Sequence, residues 1–163
     1  MCIRDSRTTS KLYKDSPAIS GLKRFTVNGK EVKPEIRKGY AVVTREWKAG
    51  DRIELELPMA PQRVTADPRI MADVNTIALK YGPLVYNVES ADNHSIEHKV
   101  GDAPLTTEWR PDLLGGVIVI KGKWSDGSDL FAIPNYARMN RVGPPHEYPS
   151  DKDSATLDSK VWI

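Results

Sequence analysis

Histidines and carboxylates are the first residues of this chain that could carry chemistry. His94 and His98 lie four residues apart, a spacing that on a helix would present both imidazoles to one metal ion. The surrounding sequence, "ADNHSIEHKVGD", has turn residues and no helical apolar pattern. We therefore predict surface histidines in a loop and no metal site in this chain, with a metal-binding pair as the alternative.

The carboxylates allow a glycosidase pair in principle, because such enzymes use one carboxyl group as acid and a second as nucleophile or base. In "RIELELP", however, Glu54 and Glu56 alternate with apolar residues, which is typical of the solvated face of a strand. Further acidic residues are expected in turns or at strand ends: Asp67, Glu89, Asp92 and Glu108. Neither a G-x-S-x-G elbow nor a glycine-rich phosphate loop occurs. We predict no catalytic residue in this chain.

The tryptophans suggest a binding role at one position. Trp109 is followed by Arg110 in a polar stretch, so we predict an exposed loop aromatic there that could bind substrate by stacking on a sugar. Trp47, Trp124 and Trp162 lie next to strand-like sequence, and packing in a core or between domains is the favoured interpretation for them.

Composition excludes several classes of partner. The 163 residues carry a formal net charge of +2 and are 39% hydrophobic, as expected of a globular domain or two small ones. That balance supplies no broad basic field, so we predict no nucleic-acid partner. No apolar run approaches the roughly 20 residues that cross a bilayer, so we predict no membrane partner.

Short strand patterns separated by Gly, Pro and Asn recur along the chain. Asn28-Gly29 is typical of a two-residue hairpin turn, and Ile53 to Leu57 alternate as in a half-buried strand. Gly82 is expected to be extended because Pro83 follows it. Val117 to Ile120 form a continuous apolar run, which is typical of a strand buried on both faces. The pattern predicts an all-β fold, an antiparallel β-sandwich.

The N-terminus has an unusual origin on our interpretation. Residues 1–6, "MCIRDS", back-translate to a string that matches the mosaic end of transposase-based sequencing libraries. We therefore predict that this segment is translated adapter and exclude it from fold reasoning. Cys2, the single cysteine of the chain, then has no functional role.

Three stretches in order carry a family resemblance. They are "VNGKEVKPEIRKGYAVVTREWKAGDRIELELPM", "IALKYGPLVYNVES" and "AIPNYARMNR" followed by "KVWI". Together they resemble the C-terminal third of the β-L-arabinofuranosidase family, glycoside hydrolase family 127. The chain departs from the family pattern at Tyr81 and Asn135, and it has a long insertion before "VWI".

The resemblance implies a longer parent protein, with an N-terminal (α/α)6 catalytic barrel followed by β-sandwich domains. On this basis residues 7–62 end a middle β-domain and residues 63–163 form a C-terminal β-sandwich domain. Family chemistry uses a cysteine nucleophile in a zinc site, and both belong to the barrel, so no cofactor is expected in this chain. The implied partners are the chain's own missing barrel, a second copy of the parent and a glycan.

The resemblance also implies a set of interdomain packing residues: Tyr136, Arg138, Asn140, Arg141 and Trp162. The leading hypothesis is therefore a non-catalytic fragment that supports the barrel of a plant-glycan-degrading enzyme. The alternative is a free-standing carbohydrate-binding β-sandwich, which the strand pattern and Trp109 would also explain.

Overall fold

The chain folds into antiparallel β-strands. The computed structural model describes residues 2–4, 12–19, 21–38, 40–140 and 158–163. Within these ranges the strands are β1 (Cys2–Arg4), β2 (Tyr13–Ser16), β3 (Arg24–Val27), β4 (Lys30–Glu31), β5 (Glu35–Arg37), β6 (Tyr40–Val42), β7 (Ile53–Glu56), β8 (Pro61–Ala66), β9 (Ile77–Tyr81), β10 (Leu84–Glu89), β11 (Thr106–Arg110), β12 (Val117–Lys123), β13 (Asp129–Pro134) and β14 (Ser159–Lys160). The only helical elements there are 3-10 turns at Met71–Asp73 and Asn135–Ala137, so the predicted all-β, sandwich-like fold is confirmed.

Three sheets are present in the described part of the chain. Two small sheets have the strand orders β1-β6-β5 and β4-β3-β7. The large sheet has the order β11-β12-β13-β10-β9-β8-β2, and β14 pairs with β10. Consecutive strands are mostly neighbours, as expected where short turns join antiparallel strands.

The two faces of the large sheet each bury a separate apolar cluster, because successive side chains of a strand point to opposite sides. Face A carries the larger cluster, with Leu79, Tyr86, Ile120 and Trp124 almost fully buried. Face B carries a smaller cluster of Val117, Val119, Ile133 and Ala137, with nearby loop residues packed on it. Strand β12, the second from one edge of the sheet, is thus buried on both faces, as its continuous apolar run predicts.

Asn93 fastens the segment after β10 onto face A. Its amide nitrogen donates to the carbonyl oxygens of Glu89 and Phe131, both at 2.9 Å. Its Oδ1 accepts from the Phe131 backbone N–H at 2.9 Å and from the indole N–H of Trp124 at 3.2 Å. Asn93 is buried, and its side chain bonds both the N–H and the carbonyl oxygen of Phe131. It therefore satisfies backbone groups that a neighbouring strand would otherwise pair with.

Sequence prediction of the turns was right at one hairpin and wrong at another. Asn28 and Gly29 have φ values of 54° and 73° and join β3 to β4, as predicted. Gly82, by contrast, has a φ of 56° in the tight turn between β9 and β10 and is not extended. Glycine lacks a Cβ, so the hairpin closure outweighs the bias toward extended backbone that a following proline imposes.

The predicted half-buried strand is more exposed than its pattern indicates. Ile53 is half-buried, but Leu55 and Leu57 are 39% and 48% exposed. In the three-stranded sheet β7 has one strand neighbour, β3, and the cross-strand partner Phe25 is buried while Leu55 stays at the surface. Alternation therefore identified the apolar side of β7 correctly and overestimated how far it is covered.

The C-terminal residues insert where β9 and β10 separate. β14 pairs with β10 at Val88 and Glu89, and Ile163 exchanges two backbone hydrogen bonds with Ile77 at the start of β9. Trp162 pairs with Ala78 and stacks on Tyr13 of β2, with ring centroids 5.7 Å apart. The last residues therefore tie together three strands of the large sheet.

Candidate functional site

The two described histidines, His94 and His98, belong to no cluster of metal-binding side chains. His94 is exposed, and His98 lies 3.2 Å from the carboxylate of Asp126 through its Nε2. Among the described residues no group of three or more His, Cys, Asp and Glu is arranged to hold a metal ion. His146, the remaining histidine, lies outside the described residues. Likewise, no helix in the described ranges is long and apolar enough to cross a membrane.

The surface carboxylates are paired with cations along the strands. Glu54 and Glu56 of β7 contact Arg52 and Lys23 respectively. On β11, the ammonium of Lys121 donates to Glu108 at 2.6 Å and holds the pKa of that carboxyl below its usual range. A carboxyl group with a lowered pKa, such as that of Glu108, is unsuited to act as a general acid near neutral pH.

The Arg110–Asp112 pair is a second fixed charge pair near Trp109. The Arg110 guanidinium donates to both carboxylate oxygens of Asp112, at 3.0 and 2.7 Å, and lowers the pKa of Asp112 to about 2. The same guanidinium lies 5.9 Å from the centre of the Phe131 ring on face B. This arginine is therefore engaged within the chain.

Trp109 lies in a strand, contrary to the predicted loop. It pairs with Ile118 in the five-residue ladder between β11 and β12, and its side chain is 59% exposed. The polar residues of β11 concealed the strand, because an edge strand has fewer apolar contacts to make. The predicted exposure of Trp109 is confirmed, and its role in substrate binding stays a prediction.

The indole of Trp109 rests on Gly116. A Cβ built on Gly116 would lie 2.7 Å from Cη2 and 2.8 Å from Cζ2 of the indole. Leu114, Gly115 and Gly116 have φ values of 52°, 77° and 105°, so the loop enters the left-handed region at three successive residues. This backbone conformation brings a residue without a side chain under the ring and fixes the ring position.

Substituting Gly116 with alanine is expected to lower the free energy of unfolding by about 2 kcal/mol, because the new methyl group meets the indole and the positive φ strains the backbone. Gly115→Ala is the matched control, since Gly115 also has a positive φ but open space around its Cβ position. We expect a loss of about 1 kcal/mol there. Urea unfolding followed by circular dichroism measures both, and equal losses would contradict the indole contact.

The other tryptophans differ in burial. Trp124 is buried and packs on face A, as predicted. Trp47 is 39% exposed and sits under the guanidinium of Arg45 at 5.2 Å, so it does not pack in a core within this chain, and packing between domains stays a prediction. The segment from residue 43 to 52 contains no strand, and its tryptophan therefore has no sheet face to pack against.

Of the predicted interdomain packing residues, three follow β13 and one lies near the C-terminus. Tyr136, Arg138 and Asn140 are exposed, and Tyr136 is 67% accessible. Arg138 donates to the backbone oxygen of Ser159 at 3.3 Å, and Trp162 is half-buried against Tyr13. Arg141 lies outside the described residues. The interdomain role of this set stays a prediction.

A buried polar group beneath this segment has no signal in the sequence pattern. Glu89 is almost fully buried, and its Oε1 accepts from the backbone N–H of Met139 at 2.7 Å and from Asn87 at 3.3 Å. Asn87 also donates to the hydroxyl of Ser159 at 3.0 Å. A carboxylate at a strand end resembles any surface residue in the sequence, and only the fold places it in the interior.

Tyr86 connects the aromatic residues of face A. Its hydroxyl donates to the backbone oxygen of Ile118 at 2.8 Å, and Ile118 in turn pairs with Trp109. Burial raises the pKa of Tyr86 to about 12, and the nearby Tyr136 and Tyr81 add to this effect.

This pKa predicts a loss of stability at alkaline pH. Because the folded pKa of Tyr86 lies above the unfolded value near 10, the stability from its neutral phenol is complete below pH 10 and is lost as the pH rises through 12. We expect the free energy of unfolding to fall by about 2 kcal/mol over that range. Tyr86→Phe should remove most of this slope in pH-dependent urea unfolding. Tyr13→Phe, at an exposed tyrosine, should retain it.

Comparison with known proteins identifies the class of this chain. Residues 61–146 match the glycoside hydrolase family 127 C-terminal domain, and residues 5–59 match the GH127 middle domain of β-L-arabinofuranosidase. The non-reducing end β-L-arabinofuranosidase of Bifidobacterium longum subsp. longum is 34% identical over 121 residues, which are 69% of this chain and 17% of that protein.

Two solved structures have the same fold over 93% of this chain. One is a GH127 β-arabinofuranosidase with a TM-score of 0.73 and 27% identity, and the chain covers 24% of it. The other is a GH127 β-L-arabinofuranosidase from Geobacillus stearothermophilus T6, with a TM-score of 0.68, 28% identity and 27% coverage. Fold and sequence together define middle and C-terminal β-domains of a glycoside hydrolase. The chain belongs to glycoside hydrolase family 127, and it spans 17 to 27% of the length of these relatives.

Proposed function

We propose that this chain is the non-catalytic β-domain region of a β-L-arabinofuranosidase-like enzyme, and that it supports a catalytic barrel encoded elsewhere in the parent. The observation that carries the proposal is the ordered match to a middle and then a C-terminal domain, over about a quarter of each solved relative. The names of those relatives supply the substrate class, β-L-arabinofuranosides.

The described side chains of this chain do not fit the zinc site that the family resemblance implies. The described side chains include no cysteine, and they offer no cluster of metal-binding groups. We therefore assign the zinc and the nucleophile to the remainder of the parent and derive no catalytic step from this chain.

Activity assays on the purified chain test the non-catalytic part of the proposal. We expect no release of arabinose from p-nitrophenyl β-L-arabinofuranoside above a heat-denatured control, with and without added zinc. Turnover that survives repurification of the chain would contradict the assignment.

Deletion in the parent tests the supporting role. We expect that removal of residues 12–163 from the full-length protein abolishes activity and lowers the melting temperature of what remains. A truncated enzyme with full activity and an unchanged melting temperature would overturn the proposal.

The indole of Trp109 is exposed on one side and lies against Gly116 on the other, and this arrangement favours a second candidate function, that of a carbohydrate-binding β-sandwich. Indole rings that are fixed and open to solvent can stack on the apolar face of a sugar. Titration calorimetry with arabino-oligosaccharides separates the candidates. Saturable binding by the wild-type chain that Trp109→Ala removes would favour the carbohydrate-binding role, and absence of binding would exclude it.

A further inference from the structure

One end of the large sheet carries a row of exposed apolar side chains. At this end β9 turns into β10, β13 ends and β11 leads into β12. The exposed side chains there are Met59, Leu84, Trp109 and Tyr136, and we call this set the turn-end patch. Exposed apolar side chains that cluster on one surface usually mark an interaction site, whereas single ones do not.

Neighbouring contacts join the members of the patch across the strands. Trp109 pairs with Ile118, and the backbone oxygen of Ile118 holds the hydroxyl of Tyr86. Tyr136 lies two residues after Pro134, which is the cross-strand partner of Tyr86. Leu84 is two residues before Tyr86 on the same strand and therefore shares face A with it.

Two members of the patch are held in place by glycine turns. The indole of Trp109 lies against Gly116, and the thioether of Met59 lies over Gly82. Both glycines have positive φ values. Apolar groups fixed before binding lose little conformational entropy when a partner covers them, which is a property of preorganised interfaces.

The opposite end of face A is covered by the chain itself. Ile96, Val100 and Leu105 of the segment between β10 and β11 pack onto the cluster around Trp124. Arg63 ties this segment down through the backbone oxygens of Gly101 and Ala103, both at 2.8 Å. This segment also pairs with the end of β12. The Gly101 N–H donates to the backbone oxygen of Lys123, and Val100 forms a β-bridge with Trp124.

Arg110 and Lys80 point to face B, opposite the face that carries Trp109 and Leu84, and both are paired within the chain. Arg110 pairs with Asp112 and Lys80 pairs with Asp15, each at 2.7 Å. Four large exposed side chains, two on strands and two in the segments beside them, also exceed what one stacked sugar ring needs.

We infer that the turn-end patch is the surface on which the remainder of the parent polypeptide docks. The inference rests on the proposed function. This chain accounts for only 24 to 27% of the length of its solved relatives, so most of such a parent polypeptide would be available to cover the patch. The turn-end patch shares Tyr136 with the predicted interdomain packing residues and adds Met59, Leu84 and Trp109. Trp162 is not part of the patch, because its ring already stacks on Tyr13.

Hydroxyl-radical footprinting tests the inference on the isolated chain and on the full-length parent. We expect oxidation of Trp109 and Tyr136 to fall about fivefold or more in the full-length protein, as for side chains at the centre of an interface. Met71 is the control, because it is 81% exposed and lies in the connection between β8 and β9, which is at the other end of the sheet. Equal oxidation of Trp109 and Tyr136 in both proteins would overturn the inference.

A variant pair provides the second measurement. Trp109→Glu combined with Tyr136→Glu should lower the melting temperature of the full-length protein by several degrees more than that of the isolated chain. Met71→Glu should leave both unchanged. An equal effect of Met71→Glu, or no effect of the double variant on the full-length protein, would refute docking at this patch.

The outcomes separate the surface from the proposed function. If the double variant has no effect but deletion of residues 12–163 inactivates the parent, the supporting role stands and the docking surface is wrong. If the deletion has no effect, the supporting role fails. Saturable binding of arabino-oligosaccharides lost in Trp109→Ala would assign the patch to a glycan and overturn the docking inference.

Discussion

Replacing Asn93 with alanine is expected to lower the free energy of unfolding by about 3 kcal/mol or more. The substitution removes four hydrogen bonds at once. The backbone oxygen of Glu89, the indole N–H of Trp124 and both backbone groups of Phe131 each lose the bond that Asn93 made to them. Each unsatisfied buried group costs about 1 to 3 kcal/mol, and partial entry of water reduces the sum. Urea unfolding monitored by tryptophan fluorescence measures the loss, and the emission of Trp124 should shift to longer wavelength.

His94→Ala is the matched control for this prediction. His94 is the next residue in the chain and is exposed, so its truncation should change the free energy of unfolding by less than about 0.5 kcal/mol. Asn93→Asp provides a second comparison, because it keeps the shape of the side chain and removes its two donors. An Asn93→Ala protein as stable as the His94→Ala protein would show that the amide network contributes little.

Deleting Trp162 and Ile163 is expected to lower the free energy of unfolding by about 3 kcal/mol. Ile163 is buried in the face A cluster, and its backbone makes two hydrogen bonds with Ile77. Trp162 covers Tyr13 on β2, so the deletion also exposes the outermost strand of the large sheet. Thermal and urea unfolding measure the loss, and hydrogen exchange of the β2 amides reports whether that strand detaches.

Two conservative substitutions define what the deletion removes. Ile163→Val should cost about 1 kcal/mol, since one methylene leaves the core. Trp162→Phe retains an aromatic partner for Tyr13 and should cost less than the deletion. If the deleted protein unfolds at the same urea concentration as the wild type and keeps its β2 amides protected, the C-terminal residues do not hold the sheet together.

Local signals in the sequence were sufficient for the fold class. Asn28-Gly29 fixes its hairpin through positive φ angles, and the apolar run of Val117 to Ile120 fixes a strand buried on both faces. Both depend on a few neighbouring residues. The exposure of Leu55 was missed because the extent of cover over a strand depends on elements distant in sequence.

The candidate site was less predictable for the same reason. Exposure of Trp109 follows from its polar neighbours. The contact between its indole and Gly116, however, depends on three successive positive φ values in the loop after β11. Burial of Glu89 and Asn87 depends on the return of the chain at Met139 and Ser159, far along the sequence. Tertiary contacts of this kind leave no periodic pattern in the sequence.

The pairing of β2 with β8 affects how this protein can be divided. Residues 13–16 lie within the match to the middle domain, yet they form the outermost strand of the sheet that contains the C-terminal domain. A fragment cut at residue 60, where the two family domains meet, would lose β2 and leave the edge of β8 that faces β2 unpaired, although β9 still pairs with its other edge. An open strand edge recruits other strands, so such a fragment is an aggregation hazard, and useful expression boundaries should begin before Tyr13.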